Sequence, residues 1–269
     1  MSNAIFSMPV PQNEPIYAYG PGSPEKSRLK AELQRLSQEI VDIPIIINGK
    51  EIRTGNTREC VMPHKHHHRL GQFHMAGQEE VQLAIETSLR ARKEWTRLPW
   101  EQRAGVFLKA AEILGHQQRF TINASTMLGI SKTPFQAEID SACELIDFWR
   151  FNVHYMEQIY KQQPQSVPLA WNRVEHRGLE GFVFAATPFN FTSIAGNLPT
   201  APAMMGNTVV WKPASSAVYN AYFVMKLLEE AGLPPGVINF VPGSGSAIGN
   251  QIIDHPSLAG IHFTGSSAV

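Results

Sequence analysis

The spacing of apolar residues divides the chain into two parts with different periodicities. Between residues 79 and 160, apolar residues recur every three or four positions, which is typical of amphipathic helices. One of these helices is predicted to be long and to begin near Pro134, and an earlier helix is predicted over residues 26–40. A run of isoleucines followed by Asn-Gly predicts a strand and a tight hairpin over residues 44–50. The front part of the chain is therefore predicted to be mostly helical.

The pattern changes at Gly181, where short continuous apolar runs begin to alternate with helical stretches. Such runs are typical of strands buried on both faces, and strands alternating with helices favour a parallel, doubly wound sheet. The helical stretch 216–231 ends at Gly232 and is followed by prolines, which is a clear stop signal. The four predicted strands are Phe182–Ala186, Thr208–Trp211, Val237–Val241 and Ile261–Thr264.

These elements predict an α/β fold with an incomplete, Rossmann-like parallel sheet of about four strands, preceded by a helical segment. Residues 1–44 form an N-terminal arm and helix, because the first twenty-odd residues are rich in Pro, Gly and Ser. Residues 45–162 hold the hairpin and the helices. Residues 163–180 contain two prolines and weak alternation, which indicates an extended flap. Residues 181–269 form the sheet.

Charge and composition exclude several classes of protein. The chain has 269 residues, with 23 Lys and Arg against 23 Asp and Glu, so it lacks the basic excess of nucleic-acid binders. No apolar run approaches the roughly 18–20 residues of a membrane span. Two cysteines are too few for a disulfide framework. With no secretory signal visible, we expect a cytoplasmic protein, or a mitochondrial-matrix protein if the source is eukaryotic.

Candidate chemistry lies in the loops that follow the predicted strands, where ligands of parallel sheets bind. Asn190 could donate to a developing oxyanion, although its spacing alone favours a turn or helix-cap role. Lys212 ends the second strand and could bind a nucleotide ribose or phosphate, or be simply solvated. Gly265-Ser266-Ser267 opens the loop after the fourth strand and could approach a pyrophosphate. The stretch Gly243–Gly249 has one residue too many for a dinucleotide fingerprint.

Three other groups of residues invite weaker interpretations. The stretch His64–His68 is interpreted as an exposed strand or loop, because consecutive histidines on a strand alternate faces, and no metal site is predicted. Cys60 and Cys143 are poor nucleophile candidates. Cys143 lies on the apolar stripe of its helix, where burial would raise its pKa, and Cys60 lies in a strand-like run with no helix N-terminus to lower its pKa. An acidic stripe at residues 140, 144 and 147 is interpreted as a solvated face, or as the source of one carboxylate for a cationic substrate group.

Four segments resemble the NAD(P)-dependent aldehyde dehydrogenase superfamily, most closely its branch that oxidises L-glutamate γ-semialdehyde, formed from 1-pyrroline-5-carboxylate in proline degradation. The similarity runs from about residue 40 to the last residue. The helix bearing Glu144 and the Phe-Asn-Phe loop are the features that indicate the semialdehyde branch. The four segments are Ala137–Asn152, Arg177–Thr192, Gly206–Pro213, and Gly232–Gly243 together with Phe263–Ser266.

The resemblance implies NAD as the cofactor and assigns roles to the loop residues. It implies that Asn190 is the oxyanion-stabilising amide and that Lys212 binds the adenosine ribose. It also implies that Gly265, Ser266 and Ser267 form the turn and helix start under the pyrophosphate.

The resemblance further implies a substrate pocket and an assembly. Glu144 and Phe191 are expected to line a pocket for glutamate semialdehyde, with the carboxylate near the substrate ammonium and the aromatic ring beside its aliphatic stem. The flap is expected to take part in homo-oligomerisation. The small-molecule substrate is the expected partner, with no nucleic acid and no membrane.

One departure from the superfamily qualifies these expectations. Its reaction needs a cysteine nucleophile and a glutamate that activates water, and neither Cys60 nor Cys143 lies in the nucleophile motif. We therefore expect the N-terminal part of such an enzyme, inactive by itself and poorly soluble, because its sheet would end in an unpaired edge. The alternative is a non-catalytic nucleotide-binding or assembly module.

Overall fold

The computed structural model describes residues 7–267, which form two sheets surrounded by helices. Two π-helical segments, Leu114–Gln118 and Glu138–Glu144, interrupt the helical region. The α-helices are α1 (Pro24–Gln38), α2 (Gln78–Trp95), α3 (Trp100–Ile113), α4 (Arg119–Ile130), α5 (Pro134–Ala137), α6 (Leu145–Lys161), α7 (Thr192–Met204), α8 (Val218–Glu230) and α9 (Gly245–Ile253). The strands are β1 (Val41–Ile43), β2 (Ile45–Ile47), β3 (Lys50–Ile52), β4 (Thr57–Met62), β5 (Lys65–His74), β6 (Phe182–Ala186), β7 (Val209–Lys212), β8 (Ile238–Phe240) and β9 (Leu258–Phe263).

The larger sheet confirms the predicted α/β architecture and is wider than predicted. Strands β6 to β9 are parallel and lie in the order β8-β7-β6-β9. The chain enters this parallel part at β6, adds β7 and β8 on one side, and then crosses to the other side of β6 to form β9. The winding direction therefore reverses between the neighbouring strands β6 and β9. The predicted hairpin, β2-β3, joins this sheet antiparallel to β8, which brings the sheet to six strands. It does so because all three residues of β2 are buried, and Ile46 pairs with Phe240.

Alternate residues of each central strand serve two separate hydrophobic cores. In β6, Phe182 and Phe184 pack with α2 and α9 on one face of the sheet. Val183 and Ala185 face the larger core, which is built from the helices between α3 and α8. Burial on both faces explains why these strands are continuous apolar runs in the sequence. The smaller sheet, in the order β1-β5-β4, packs against α1 and α8.

The helical region is arranged largely as predicted, with two differences. The first helix ends at Gln38, two residues earlier than predicted, because the chain becomes extended at Glu39 and leads into β1. The long helix does begin at Pro134, capped by the Thr133 side chain, but its middle is the π-helical segment Glu138–Glu144. Its hydrogen bonds span five residues instead of the four of an α-helix, so the segment shifts the side chains that precede it relative to those that follow.

Two predicted irregular segments are also present. Residues 7–23 form an extended arm that lies against the helical region, and residues 162–180 form an extended flap with a single bridge between Val167 and Ala170. In the flap, Leu169 is 100% exposed and Trp171 80% exposed.

Within residues 7–267, β9 is an edge strand of the larger sheet. Its apolar side chains Ile261 and Phe263 are 55% and 43% exposed. An exposed edge with apolar side chains agrees with the sequence-based expectation. Within the same residues, no helix combines the length and the apolar character needed to cross a bilayer.

Candidate functional site

A cleft lies at the carboxyl edge of the parallel sheet, where the winding direction reverses. The strand register places Lys212 of β7 and Phe263 of β9 on either side of Ala186, the last residue of β6. The loops that follow these strands enclose a cavity of about 540 Å³. Its walls combine the aromatic side chains of Phe189 and Phe263 with polar groups from the loops. Such a switch point is where open α/β sheets bind their ligands.

Lys212 supplies the cationic group of this cleft. It is half-buried, and its Nζ would lie 4.0 Å from a Cβ placed at Gly245, at the start of α9. Burial lowers its pKa, and among residues 7–267 no carboxylate lies within 4.0 Å of its Nζ. A partly desolvated amine without an acid partner has free hydrogen-bond donors, which suit the hydroxyl groups or phosphates of a ligand.

The loop after β9 closes the cleft on the opposite side. Gly265 and Ser266 line the cavity, whereas Ser267 is exposed and lies outside the lining. A Cβ at Gly265 would lie 2.6 Å from the ring of Phe263, so the backbone here passes close to this exposed ring. The loop thus brings backbone close to the space that a ligand would fill.

The N-terminus of α9 contributes to the same cleft, which sequence reasoning undervalued. Gly245, Ser246 and Gly249 all line the cavity. The free N–H groups of a helix N-terminus favour an anionic ligand. The sequence does carry a signal, since glycine-rich residues follow the third parallel strand. Their spacing fits no standard dinucleotide fingerprint, so only the position of this strand in the sheet reveals that they line the cleft.

Asn190 and Phe191 lie at the same sheet edge but outside this cleft. Both belong to the loop between β6 and α7, and the Asn190 side chain is exposed and makes no hydrogen bond within residues 7–267. Phe191 is half-buried and precedes the first residue of α7. The Nζ of Lys132 lies 3.9 Å from the centre of the Phe191 ring, a cation–π contact. The structure therefore gathers the predicted residues into two neighbouring groups.

The predicted acidic stripe is not a solvated face. Asp140 is only 2% exposed, and it accepts hydrogen bonds from the backbone of Thr192 and from the backbone and hydroxyl of Ser193, at 3.1, 3.0 and 2.8 Å. The prediction was wrong for Asp140 because the π-helical turn directs this side chain to the N-terminus of α7. There a carboxylate caps free N–H groups and interacts favourably with the helix dipole.

Glu144 joins Phe191 beside this cap. The Ser193 hydroxyl lies 2.8 Å from Asp140 and 2.9 Å from Glu144, and because it carries a single proton it donates to one of the two carboxylates at a time. Burial raises the pKa of Glu144, and the negative charge of Asp140 adds to the increase. The half-buried carboxylate of Glu144 could bind a cationic group such as an ammonium.

Neither cysteine is placed for nucleophilic catalysis. Both are buried and free. Burial raises the pKa of Cys60 and of Cys143 to about 12. A thiol with such a pKa is almost fully protonated near neutral pH and is a poor nucleophile. This agrees with the sequence-based interpretation of both residues.

The histidine-rich stretch begins in the turn before β5, at His64, and continues through the first half of that strand. His64 pairs with the Ser131 hydroxyl at 2.7 Å, and His68 with the backbone oxygen of Ser37 at 2.7 Å. In the part of the chain that the structure describes, no group of three or more His, Cys, Asp or Glu side chains is arranged to hold a metal ion.

A parallel sheet that reverses its winding direction beside a cleft at its carboxyl edge defines a doubly wound α/β protein, and comparison with known proteins makes the class specific. Residues 51–269 match the aldehyde dehydrogenase family, and the chain belongs to this family.

Several relatives carry the name Delta-1-pyrroline-5-carboxylate dehydrogenase. The Delta-1-pyrroline-5-carboxylate dehydrogenase of Agaricus bisporus is 49% identical over 268 residues, which cover 99% of this chain and 49% of the relative. The mitochondrial Delta-1-pyrroline-5-carboxylate dehydrogenase of Homo sapiens is 47% identical, over 94% of this chain and 45% of the relative. The crystal structure of the Mycobacterium tuberculosis enzyme bound with NAD superposes with a TM-score of 0.98 at 53% identity, over 99% of this chain and 50% of that one. The chain thus spans about half the length of the relatives it matches.

Proposed function

We propose that this chain provides the NAD-binding portion of a dehydrogenase that oxidises L-glutamate γ-semialdehyde to L-glutamate. The observation that carries this proposal is the convergence of Lys212, Gly265 and Ser266 on one cleft at the switch point of the sheet. The NAD-bound relative from M. tuberculosis, with its TM-score of 0.98, supports the choice of cofactor.

The hydrogen-bond donors that line the cleft suit the hydroxyl and phosphate groups of a dinucleotide. Lys212 has a desolvated amine with no acid partner, which suits the hydroxyl groups of the adenosine ribose. Ser266 and the backbone around Gly265 lie across the cavity and suit the pyrophosphate. The N-terminus of α9, with Ser246 in the cavity wall, adds free N–H groups on the anionic side. When bound, NAD supplies the hydride acceptor for oxidation of an aldehyde.

The second group of residues is proposed to bind the substrate. Glutamate semialdehyde carries an ammonium group, an aliphatic stem and an aldehyde. Glu144 provides a carboxylate for the ammonium, and Phe191 provides an apolar wall for the stem. Asn190 is exposed on the loop that joins the two groups, and its amide is free to donate to the oxygen on which negative charge develops. Asp140 fixes the start of α7 and with it the position of this loop.

The chain by itself is proposed to bind NAD without oxidising aldehydes. Attack on an aldehyde carbonyl needs a thiolate, and both thiols of this chain are buried with raised pKa values. This observation also keeps a second function open, that of a non-catalytic nucleotide-binding or assembly module. The exposed flap residues Leu169 and Trp171 support a role in a homo-oligomer under either function.

The proposal is tested by titrating the purified 269-residue chain with NAD in a calorimeter. A saturable one-site isotherm is expected for the parent chain. Lys212→Met removes a charge-assisted hydrogen bond and is expected to raise Kd by roughly ten- to a hundredfold. Lys93→Met, an exposed lysine on α2, is the matched control and should leave Kd unchanged. Absence of binding by the parent, or equal effects of both substitutions, would overturn the proposal.

Supply of glutamate semialdehyde with NAD to the same preparation tests whether this chain by itself is inactive. We expect binding of NAD with no formation of NADH. Measurable NADH formation would contradict the view that the two buried thiols leave this chain without a nucleophile.

A further inference from the structure

The N-terminal arm is held on the helical region by carboxylates. Three backbone N–H groups of the arm donate to three acidic side chains of the helix that runs from Pro134 to Lys161. The pairs are Met8 with Glu157, Glu14 with Asp147, and Tyr17 with Glu138, at 3.1, 2.8 and 2.8 Å. The arm therefore lies antiparallel to this helix, and side chains take the place of a neighbouring strand in satisfying its backbone.

The contacts are strongest at the start of the π-helical segment. Glu138 is fully buried, and besides the Tyr17 backbone it accepts hydrogen bonds from the Tyr19 hydroxyl at 2.5 Å and the Asn123 amide at 2.8 Å. Arg119, also fully buried, bonds both to Glu138 and to Glu14 of the arm. A buried charged network of this kind holds its members in one geometry, since each loses its partners if it moves.

The same π-helical segment faces the proposed substrate group on its other side. Asp140 caps α7, and Glu144 lies 2.9 Å from the Ser193 hydroxyl that also contacts Asp140. The segment thus lies between the arm and the loop that carries Asn190 and Phe191. Its two ends are tied to the arm, through Glu138 at the start and Asp147 just beyond the end.

A π-helical turn is less stable than an α-helical turn, so contacts from outside must select it, and such turns are frequent at functional sites. We propose that the N-terminal arm is a strap that positions the π-helical segment Glu138–Glu144, and that Tyr19 and Glu14 are positioning residues for Asp140 and Glu144. The role of Glu144 in substrate binding rests on the proposed function, whereas the strap itself rests on the contacts described.

The test compares two tyrosines of the arm. Tyr19→Phe removes the hydroxyl that donates to Glu138 and keeps the ring. Tyr17→Phe is the matched control, because the Tyr17 hydroxyl makes no hydrogen bond within residues 7–267 while its ring lies 3.9 Å from the Arg119 guanidinium carbon. Hydrogen exchange of the Thr192 and Ser193 amides, which donate to Asp140, should accelerate at least about tenfold in Tyr19→Phe. The control should exchange as the parent does.

Two further readouts distinguish positioning from general stabilisation. The carboxyl carbon resonance of Glu144 should shift in Tyr19→Phe and stay in place in Tyr17→Phe. Exchange in strands β6 to β8 serves as an internal reference. Unchanged exchange at the start of α7 would overturn the proposal, and so would equal acceleration in the three strands, because the arm would then stabilise the whole chain.

The NAD cleft lies on other elements, so Tyr19→Phe should bind NAD with the affinity of the parent. If the parent chain does not bind NAD, the proposed function is contradicted, but the proposal for the arm is unaffected. If hydrogen exchange in Tyr19→Phe equals that of the parent, the proposal for the arm is contradicted, but the proposed function is unaffected.

Discussion

Replacement of Asp140 by alanine is expected to produce one of the largest losses of stability available from a single carboxylate. The side chain is buried and accepts three hydrogen bonds from Thr192 and Ser193, two of them from backbone N–H groups at the start of α7. It also forms an ion pair with Lys132, with Nζ and Oδ2 3.5 Å apart. Water cannot take the place of the Asp140 carboxylate as a hydrogen-bond partner, because Thr192 and Ser193 are fully buried.

The magnitude follows from what alanine leaves behind. Asp140→Ala orphans two buried N–H groups and one lysine charge, and loss of one partner of a buried charged group costs about 3–5 kcal/mol. Asp140→Asn keeps one acceptor oxygen but loses the charge, and the difference between charged and neutral hydrogen bonds gives about 2 kcal/mol. Asp254, an exposed carboxylate after α9, is the control, and Asp254→Ala should stay within about 0.5 kcal/mol of the parent.

The assay is urea unfolding followed by circular dichroism, with the free energy of unfolding taken from midpoints at a common slope. The double variant Lys132→Met/Asp140→Ala should be less destabilised than the sum of its parts by about 1 kcal/mol, because the unpaired lysine is gone. A loss below about 0.5 kcal/mol for Asp140→Ala would refute the capping role.

The remaining predictions concern titration, thiol reactivity and assembly. Because burial raises the pKa of Glu144, the charged form destabilises the fold, so Glu144→Gln should be more stable than the parent at pH 7. That advantage should disappear as the pH falls below the ordinary glutamate pKa of 4.5, and an advantage that grows toward low pH would contradict the assignment. Cys60 and Cys143, with pKa values of about 12, hold only about one part in ten thousand as thiolate at pH 8. A thiol reagent should therefore label neither until urea unfolds the chain, and rapid labelling of the native chain would contradict their burial. If the chain forms oligomers, Leu169→Ser/Trp171→Ser should shift its light-scattering mass toward the monomer, and an unchanged oligomer would exclude the flap from the interface.

The sheet was predictable from the sequence because burial on both faces leaves a simple signal. Strands β6, β7 and β8 are short apolar runs, and all three positions of β8 are buried. The joining of the β2-β3 hairpin to β8 was not predictable, because it brings together Ile46 and Phe240, which are 194 positions apart in the chain. A local pattern indicates a hairpin but does not select its neighbour.

The grouping of the predicted cleft residues at one sheet edge was predictable from the sequence, whereas the contacts that support the site were less so. Lys212 and Gly265 each end or follow a strand, so their common edge follows from parallel topology. The burial of Asp140 was hidden, since an α-helical periodicity places it on a solvated face and only the π-helical turn directs it to α7. The arm was predicted as an extended segment, but its attachment through Glu138 depends on partners far apart in sequence.

The central claim is that the cleft at the switch point of the sheet binds NAD. Its most direct measurement is amide chemical-shift mapping of the 269-residue chain during titration with NAD. Saturable shifts are predicted for the cavity wall, at Thr187, Lys212, Ser246 and Gly265, with resonances of α1 and the flap unchanged. Shifts concentrated elsewhere, or none at saturating NAD, would contradict the account.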